Sequence, residues 1–212
     1  MIISTFMSIG TMPSIHIRSH KDILWLFLDN HRENTLNAEM LGQLAQALQK
    51  VPGRSPRLIV LAGAGEQAFC SGVDSSVYTE EQRQAVQSAA ENVYSAMQNV
   101  QAKGIPIVAV VTGSACGIGC ELVALCDVVI ARDDSCFRFP TPEEKLFPST
   151  ITLQLPPAGG KEMVSNLLQN GETIDAHQAL HFGLAHQVLP SEHFTTDMQE
   201  LLVMLSVCHQ VR

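Results

Sequence analysis

No two cysteines are spaced as CxxC, although the chain has six, at positions 70, 116, 120, 126, 136 and 208. That argues against a disulfide framework or a thiolate metal site. Cys116, Cys120 and Cys126 lie among Ala, Leu and Val, where a free thiol packs as a small hydrophobe. Clustered positive charge is missing as well. The 13 Lys and Arg are scattered against 21 Asp and Glu, for a formal net charge of -8. Such a surface has no electrostatic footprint for nucleic acid or for an anionic membrane.

No apolar run reaches membrane-spanning length, and the opening "MIISTFMSIGTMPS" has neither a positive n-region nor a small-residue cleavage site. We expect a soluble, cytoplasmic protein with no membrane and no nucleic acid as partner. His177 and His181 are spaced to share a helix face, but no HExxH accompanies them, so they read as a polar face and no metal site is expected. A phosphate-binding P-loop is excluded by the lack of GK[ST]. In "GIGCEL" the third glycine of a dinucleotide fingerprint is replaced by Leu122, and no acid follows about twenty residues later at a strand end. There is also no internal repeat, low-complexity tract or long linker, which favours one domain.

What is present is a chain of 212 residues that is 46% hydrophobic, enough to bury a substantial core. The runs Ile23 to Asp29, Arg57 to Gly63, Ile105 to Gly113 and Asp127 to Ala131 are short, rich in β-branched residues and bounded by Gly, Pro or Asp. They read as buried strands. Helical patterns lie between them. Asn37 can cap a helix with Met40, Leu41, Leu44, Ala45 and Leu48 on one face. A longer helix follows Thr79, carrying Val86, Ala89, Ala90, Val93, Met97 and Val100, with Gly104 and Pro106 as its stop. The alternation means an α/β fold. After Pro157 the pattern turns to short helices: one from about Lys161, one capped by Asp175 and closed by Gly183, and one after Ser191.

Glycine-containing loops follow two of the strands, "AGAGEQAFCSGVDSS" and "GSACGIGCEL". In α/β folds ligands gather beyond the carboxyl ends of strands, and two loops with exposed backbone N–H groups suit an oxyanion. Just past the second loop a single carboxylate, Glu121, stands in an apolar run. An acid in the first turn of a helix can serve simply as a partner for the helix dipole.

The strings "AFCSGVD" (Ala68 to Asp74) and "GSACGIGCELVALCDVVIA", with "NTLNAEM" before them and "GETIDAHQALHFGLAHQVLP" after them, resemble the enoyl-CoA hydratase/isomerase, or crotonase, family over most of the chain. The resemblance implies a ββα-repeat core of twisted parallel sheets flanked by helices. In this reading residues 1–160 form the thioester-binding core and residues 161–212 a shortened helical C-terminal region of the same domain. It implies an acyl-CoA or acyl-carrier thioester as substrate, with coenzyme A or phosphopantetheine as part of that substrate and no permanently bound cofactor. A homo-oligomer is implied too, a trimer or a pair of trimers.

Carried over residue by residue, the resemblance places the oxyanion-hole N–H groups on Val73 and Ile118. It makes Ala68, Cys70, Gly72, Asp74 and Gly117 part of the substrate-binding loops. Glu121 matches one of two glutamates that hydratases use on water and proton. The second falls in "CFRFPTPEEKLFPS", which aligns in two ways. Without a gap, Phe137, Pro140 and Pro148 match and Thr141 stands in the glutamate position; this register needs no insertion, and we take it first. With a two-residue insertion, Glu143 becomes the second acid. A lone acid fits double-bond isomerisation or decarboxylation better than hydration, which divides its proton transfers between two carboxylates. Enoyl-CoA hydratase or isomerase activity is the first expectation; a biosynthetic dehydratase or decarboxylase on a carrier-bound acyl group, and a non-catalytic thioester-binding subunit, are the alternatives. Ile118, where many relatives have glycine, places a bulky side chain beside the donor. Family members also run some fifty residues further, so "LLVMLSV" near the end is expected to expose apolar area.

Overall fold

Aliphatic runs form the middle of a six-stranded sheet, and alternate side chains on each strand enter two separate cores. The computed structural model describes residues 12–52, 56–74, 79–141, 146 and 171–208. Its first half contains β1 (Ser14–His20), β2 (Ile23–Asp29), α1 (Ala38–Gln49), β3 (Leu58–Gly63), β4 (Ala68–Cys70) and α2 (Glu80–Ala102). Next come β5 (Ile107–Val111), β6 (Ser114–Cys116), α3 (Ile118–Ala124), β7 (Val128–Arg132) and β8 (Cys136–Arg138). Last are β9 (Thr173–Asp175), α4 (Ala176–His181), β10 (Gln187–Leu189) and α5 (Phe194–Cys208).

The large sheet has the order β1-β2-β3-β5-β7-β10, parallel except for the antiparallel edge strand β1. A small sheet, β4-β6-β8-β9, is parallel except for β9. Thus β3–β4–α2 and β5–β6–α3 repeat one unit: a strand in each sheet, then a helix. Leu26, Leu28, Ile59, Leu61, Ile107 and Ala109 face the core that α1, α2 and α3 cover. Trp25, Phe27, Val60, Val108 and Ile130 face the other, which Phe194, Met198 and Leu202 of α5 close. Strands buried on both faces have no polar alternation to show, which is why they appear in the sequence as continuous apolar runs.

The helix signals hold. Asn37 Oδ1 accepts the Met40 N–H at 2.9 Å at the start of α1. Thr79 and Gln82 form a reciprocal capping box on α2, and Asp175 and Gln178 do the same on α4. The last helix starts at Phe194, shortly after Ser191. The helix expected from about Lys161 lies outside the described residues. Two short strands, β9 and β10, accompany the C-terminal helices, each at the edge of a sheet.

Candidate active site

Strands β4 and β6 are neighbours in the small sheet, with Ala68 opposite Ser114 and Cys70 opposite Ala115, so the loops that follow them leave side by side. The hydroxyls of Ser71 and Ser114, 3.0 Å apart, tie the two together. On the first loop Leu36 bridges to Val73: its N–H donates to the Gly72 carbonyl and its own carbonyl accepts from the Asp74 N–H, both at 2.9 Å. In a parallel bridge the middle residue's N–H points away from the partner, so that of Val73 is directed away from Leu36.

On the second loop Gly117 has φ 54° and ψ -124°, a conformation that L side chains strain to adopt. Its N–H donates to the Arg138 carbonyl at 2.9 Å, which anchors the turn to β8. A Cβ placed on Gly117 would lie 3.8 Å from the Gly72 Cα, so the loops touch at their glycines. Ile118 then opens α3, whose N-terminus has no side-chain cap. Its first-turn N–H groups have no partner within the helix.

Glu121 is 2% exposed. Its N–H closes the first helical bond onto the Gly117 carbonyl at 3.1 Å, and its Oε2 accepts from the Leu146 N–H at 3.4 Å. The carboxylate therefore turns toward the segment after β8, in which the second acid was expected. Thr141 is half-buried there, and its Cγ2 would lie 3.2 Å from a Cβ placed on Gly171. Glu143 and Pro148 lie outside the described residues. Phe137, on β8, is fully buried.

The expected site residues of the two loops thus fall into three places. Gly72, Val73, Gly117, Ile118 and Glu121 cluster where the loops meet. Ala68 and Cys70 are buried in the wall behind: the Ala68 carbonyl accepts from Asn34 Nδ2 at 2.7 Å, and the Cys70 thiol donates to the Gly72 carbonyl at 3.6 Å. Asp74 lines a cleft of about 1000 Å³ with the segments from Asn30 to Thr35 and from Ala64 to Gln67. Asn34, fully buried at φ 51°, braces that cleft by donating to the carbonyls of both Ala64 and Ala68. Sequence reasoning assigned Asn34 no role. Its signal was the residue type itself, since Asn is among the few that adopt positive φ readily.

Burial pushes the Cys70 thiol up to about 12 and raises that of Cys120 well above the ordinary thiol value. Both pack as small hydrophobes and are poor nucleophiles. Cys116, Cys126 and Cys136 are half-buried, with their thiols also raised by burial. His177 and His181 are exposed on α4, and among the described residues no group of three or more His, Cys, Asp or Glu could hold a metal ion. Backbone donors on adjoining loops with one buried carboxylate form a set suited to moving a proton while charge develops on an oxygen.

Comparison with known proteins bears on the family and the fold. The family model for enoyl-CoA hydratase/isomerase matches residues 18–207. The mitochondrial enoyl-CoA hydratase domain-containing protein 3 of Mus musculus is 30% identical over 177 residues, 82% of this chain and 59% of its own length. Carnitinyl-CoA dehydratase of Proteus mirabilis is 25% identical over 194 residues, 89% of this chain and 72% of its own. The chain therefore spans somewhat more than half to about three quarters of these relatives. Among solved structures, human enoyl coenzyme A hydratase domain-containing protein 3 superposes with a TM-score of 0.76 at 28% identity, covering 91% of this chain and 77% of that one. An enoyl-CoA hydratase/isomerase family protein from Silicibacter pomeroyi gives 0.76 at 26% identity, covering 91% and 83%. With its two-sheet ββα repeats and a family match over nearly its whole length, the chain has the crotonase fold and belongs to the enoyl-CoA hydratase/isomerase family.

Proposed function

We propose that the protein is an enzyme acting on an acyl thioester of coenzyme A or pantetheine, with its enolate oxygen bound by the N–H groups of Val73 and Ile118. The observation that carries this reading is the contact of the two loops at Gly72 and Gly117 with the buried carboxylate of Glu121 one helical turn away. Each preorganised donor on a developing oxyanion contributes about 2.7–4 kcal/mol to lowering the barrier. Glu121 is assigned the proton transfer at the carbons beside the thioester. The cleft along Asn30 to Thr35, which meets the first loop at Asp74, is assigned to the pantetheine arm. The reaction is hydration or double-bond isomerisation of an enoyl thioester, and the working form is a homo-oligomer.

A panel of enoyl, 3-hydroxyacyl and malonyl-type thioesters, with products followed by mass spectrometry, tests the reading. Glu121→Gln should lower turnover by about 10²–10⁴-fold and leave thioester binding nearly intact. Activity that survives this change, with stability lower by at most about 1 kcal/mol, would reduce Glu121 to a helix-terminal acid. A comparable loss in Glu143→Gln identifies a two-carboxylate hydratase. Indifference at 143 leaves Glu121 alone and points to isomerisation or decarboxylation. Thioester binding without turnover of any substrate would favour a non-catalytic subunit.

A further inference from the structure

A catalytic carboxylate is only as well aimed as the groups that hold it. The Leu146 N–H, 3.4 Å from Glu121 Oε2, comes from a residue that belongs to neither β8 nor β9. Leu146 is nonetheless 5% exposed and fixed from its other side, where its carbonyl accepts from Gln87 Nε2 at 3.0 Å. Gln87 stands on α2, a 23-residue helix that is capped at Thr79 and seated in the core through Val86, Ala90 and Val93. A rigid helix therefore reaches the acid in two steps, Gln87 to Leu146 and Leu146 to Glu121.

We propose that Gln87 is a positioning residue: by holding Leu146 against α2 it keeps the Leu146 N–H on Glu121 and so sets the direction of that carboxylate. The inference rests on the reading of Glu121 as the proton-transferring group. An N–H aimed at a carboxylate favours its charged form, so loss of the brace shifts Glu121 toward its neutral form. Among the described residues the neighbouring titratable groups include Cys120, next to Glu121 on α3, with Cys116, Cys136 and Arg138 acting on it in turn, and Glu91 on α2, whose Oε1 lies 3.4 Å from Gln87 Nε2. All are retained in the variants below, and Gln87→Met adds no charge, so its differences report the Gln87 contact.

The test uses the full chain with ¹³C-labelled glutamate carboxyls, the exchange rate of the Leu146 amide, and kinetics on whichever thioester the panel identifies. Gln87→Met has nearly the same shape without the donor. It should raise the Glu121 titration midpoint by roughly half a unit or more and speed Leu146 exchange about tenfold. It should lower kcat about 5–20-fold with KM within about twofold. Gln87→Lys restores a donor of similar reach and should return amide exchange and kcat toward wild type, with the midpoint at or below it. An unchanged midpoint and kcat in Gln87→Met, with only the melting temperature lowered, would overturn the proposal. If the Met variant does not fold, a raised midpoint or fast Leu146 exchange in Gln87→Lys overturns it. Failure of the catalytic reading looks different: Glu121→Gln stays active, whatever Gln87 does to the carboxyl titration.

Discussion

At His186 the surroundings of one ring set a dependence on pH. Its Nδ1 accepts the Val129 N–H at 3.1 Å, and its own backbone N–H donates to the Val129 carbonyl at 2.9 Å. A ring nitrogen that accepts a hydrogen bond cannot also hold a proton. Burial pushes the imidazole below its ordinary 6.5, with Asp127 pulling weakly the other way. As pH falls through the unfolded value, the unfolded chain takes up the proton first. This contribution to stability is complete above about 6.5 and is lost as pH falls toward the lower folded value. Urea midpoints measured from about pH 8 to about pH 5 should therefore decline, and less steeply in His186→Gln. Equal slopes would show that the ring does not govern the decline. The same scale explains which site residues were legible. Glu121 stood out as an acid in an apolar run, whereas Val73 and Ile118 were singled out only through the resemblance to the family's loop strings. Asn34 showed only its residue type, and Gln87 and Leu146 meet through a backbone carbonyl far apart in the chain, a contact that leaves no pattern in the sequence.

The elements show a similar division. The four central strands were legible within about two residues because each is buried on both faces, and the caps Asn37, Thr79 and Asp175 marked helix starts by their side-chain chemistry. β4, β6, β8, β9 and β10 have three residues each, too few for any period to emerge, and β1 is an edge strand with its far half exposed. These short strands nevertheless decide where the site is. α3 lies so close to β4 that a Cβ on Gly119 would fall 2.4 Å from the Cys70 carbonyl oxygen and 2.8 Å from the Cys70 Cβ. Backbone cannot yield as a flexible side chain does. Gly119→Ala should cost about 1–3 kcal/mol of stability and, by lifting the start of α3 off the first loop, weaken thioester binding too. An unchanged urea midpoint would mean that the helix settles elsewhere without penalty.

On the scale of the whole molecule, the second half of α5, from Leu201 to Val207, is apolar on nearly every side, with Ser206 as its one polar residue. Its inner face closes the second core, while Val203, Met204 and Val207 on the outer face are 46%, 54% and 53% exposed. A helix apolar on all sides is normally covered. We expect the proposed homo-oligomer to draw on this face: sedimentation at micromolar concentration should show an assembly that Met204→Lys weakens. A wild-type monomer under those conditions would contradict the expectation. The separation of the two sheets has a further consequence, one of timing during synthesis. β2, β3, β5 and β7 are all contributed by residues before 133, so most of the large sheet can pair once that part of the chain has emerged. The small sheet, which carries both loops, waits for β9 at residues 173–175 before its last edge is paired. Long-range pairings of this kind form late, because the entropy of closing the chain is lost before the contacts repay it. The scaffold is therefore largely in place while the site it supports is still open at one edge.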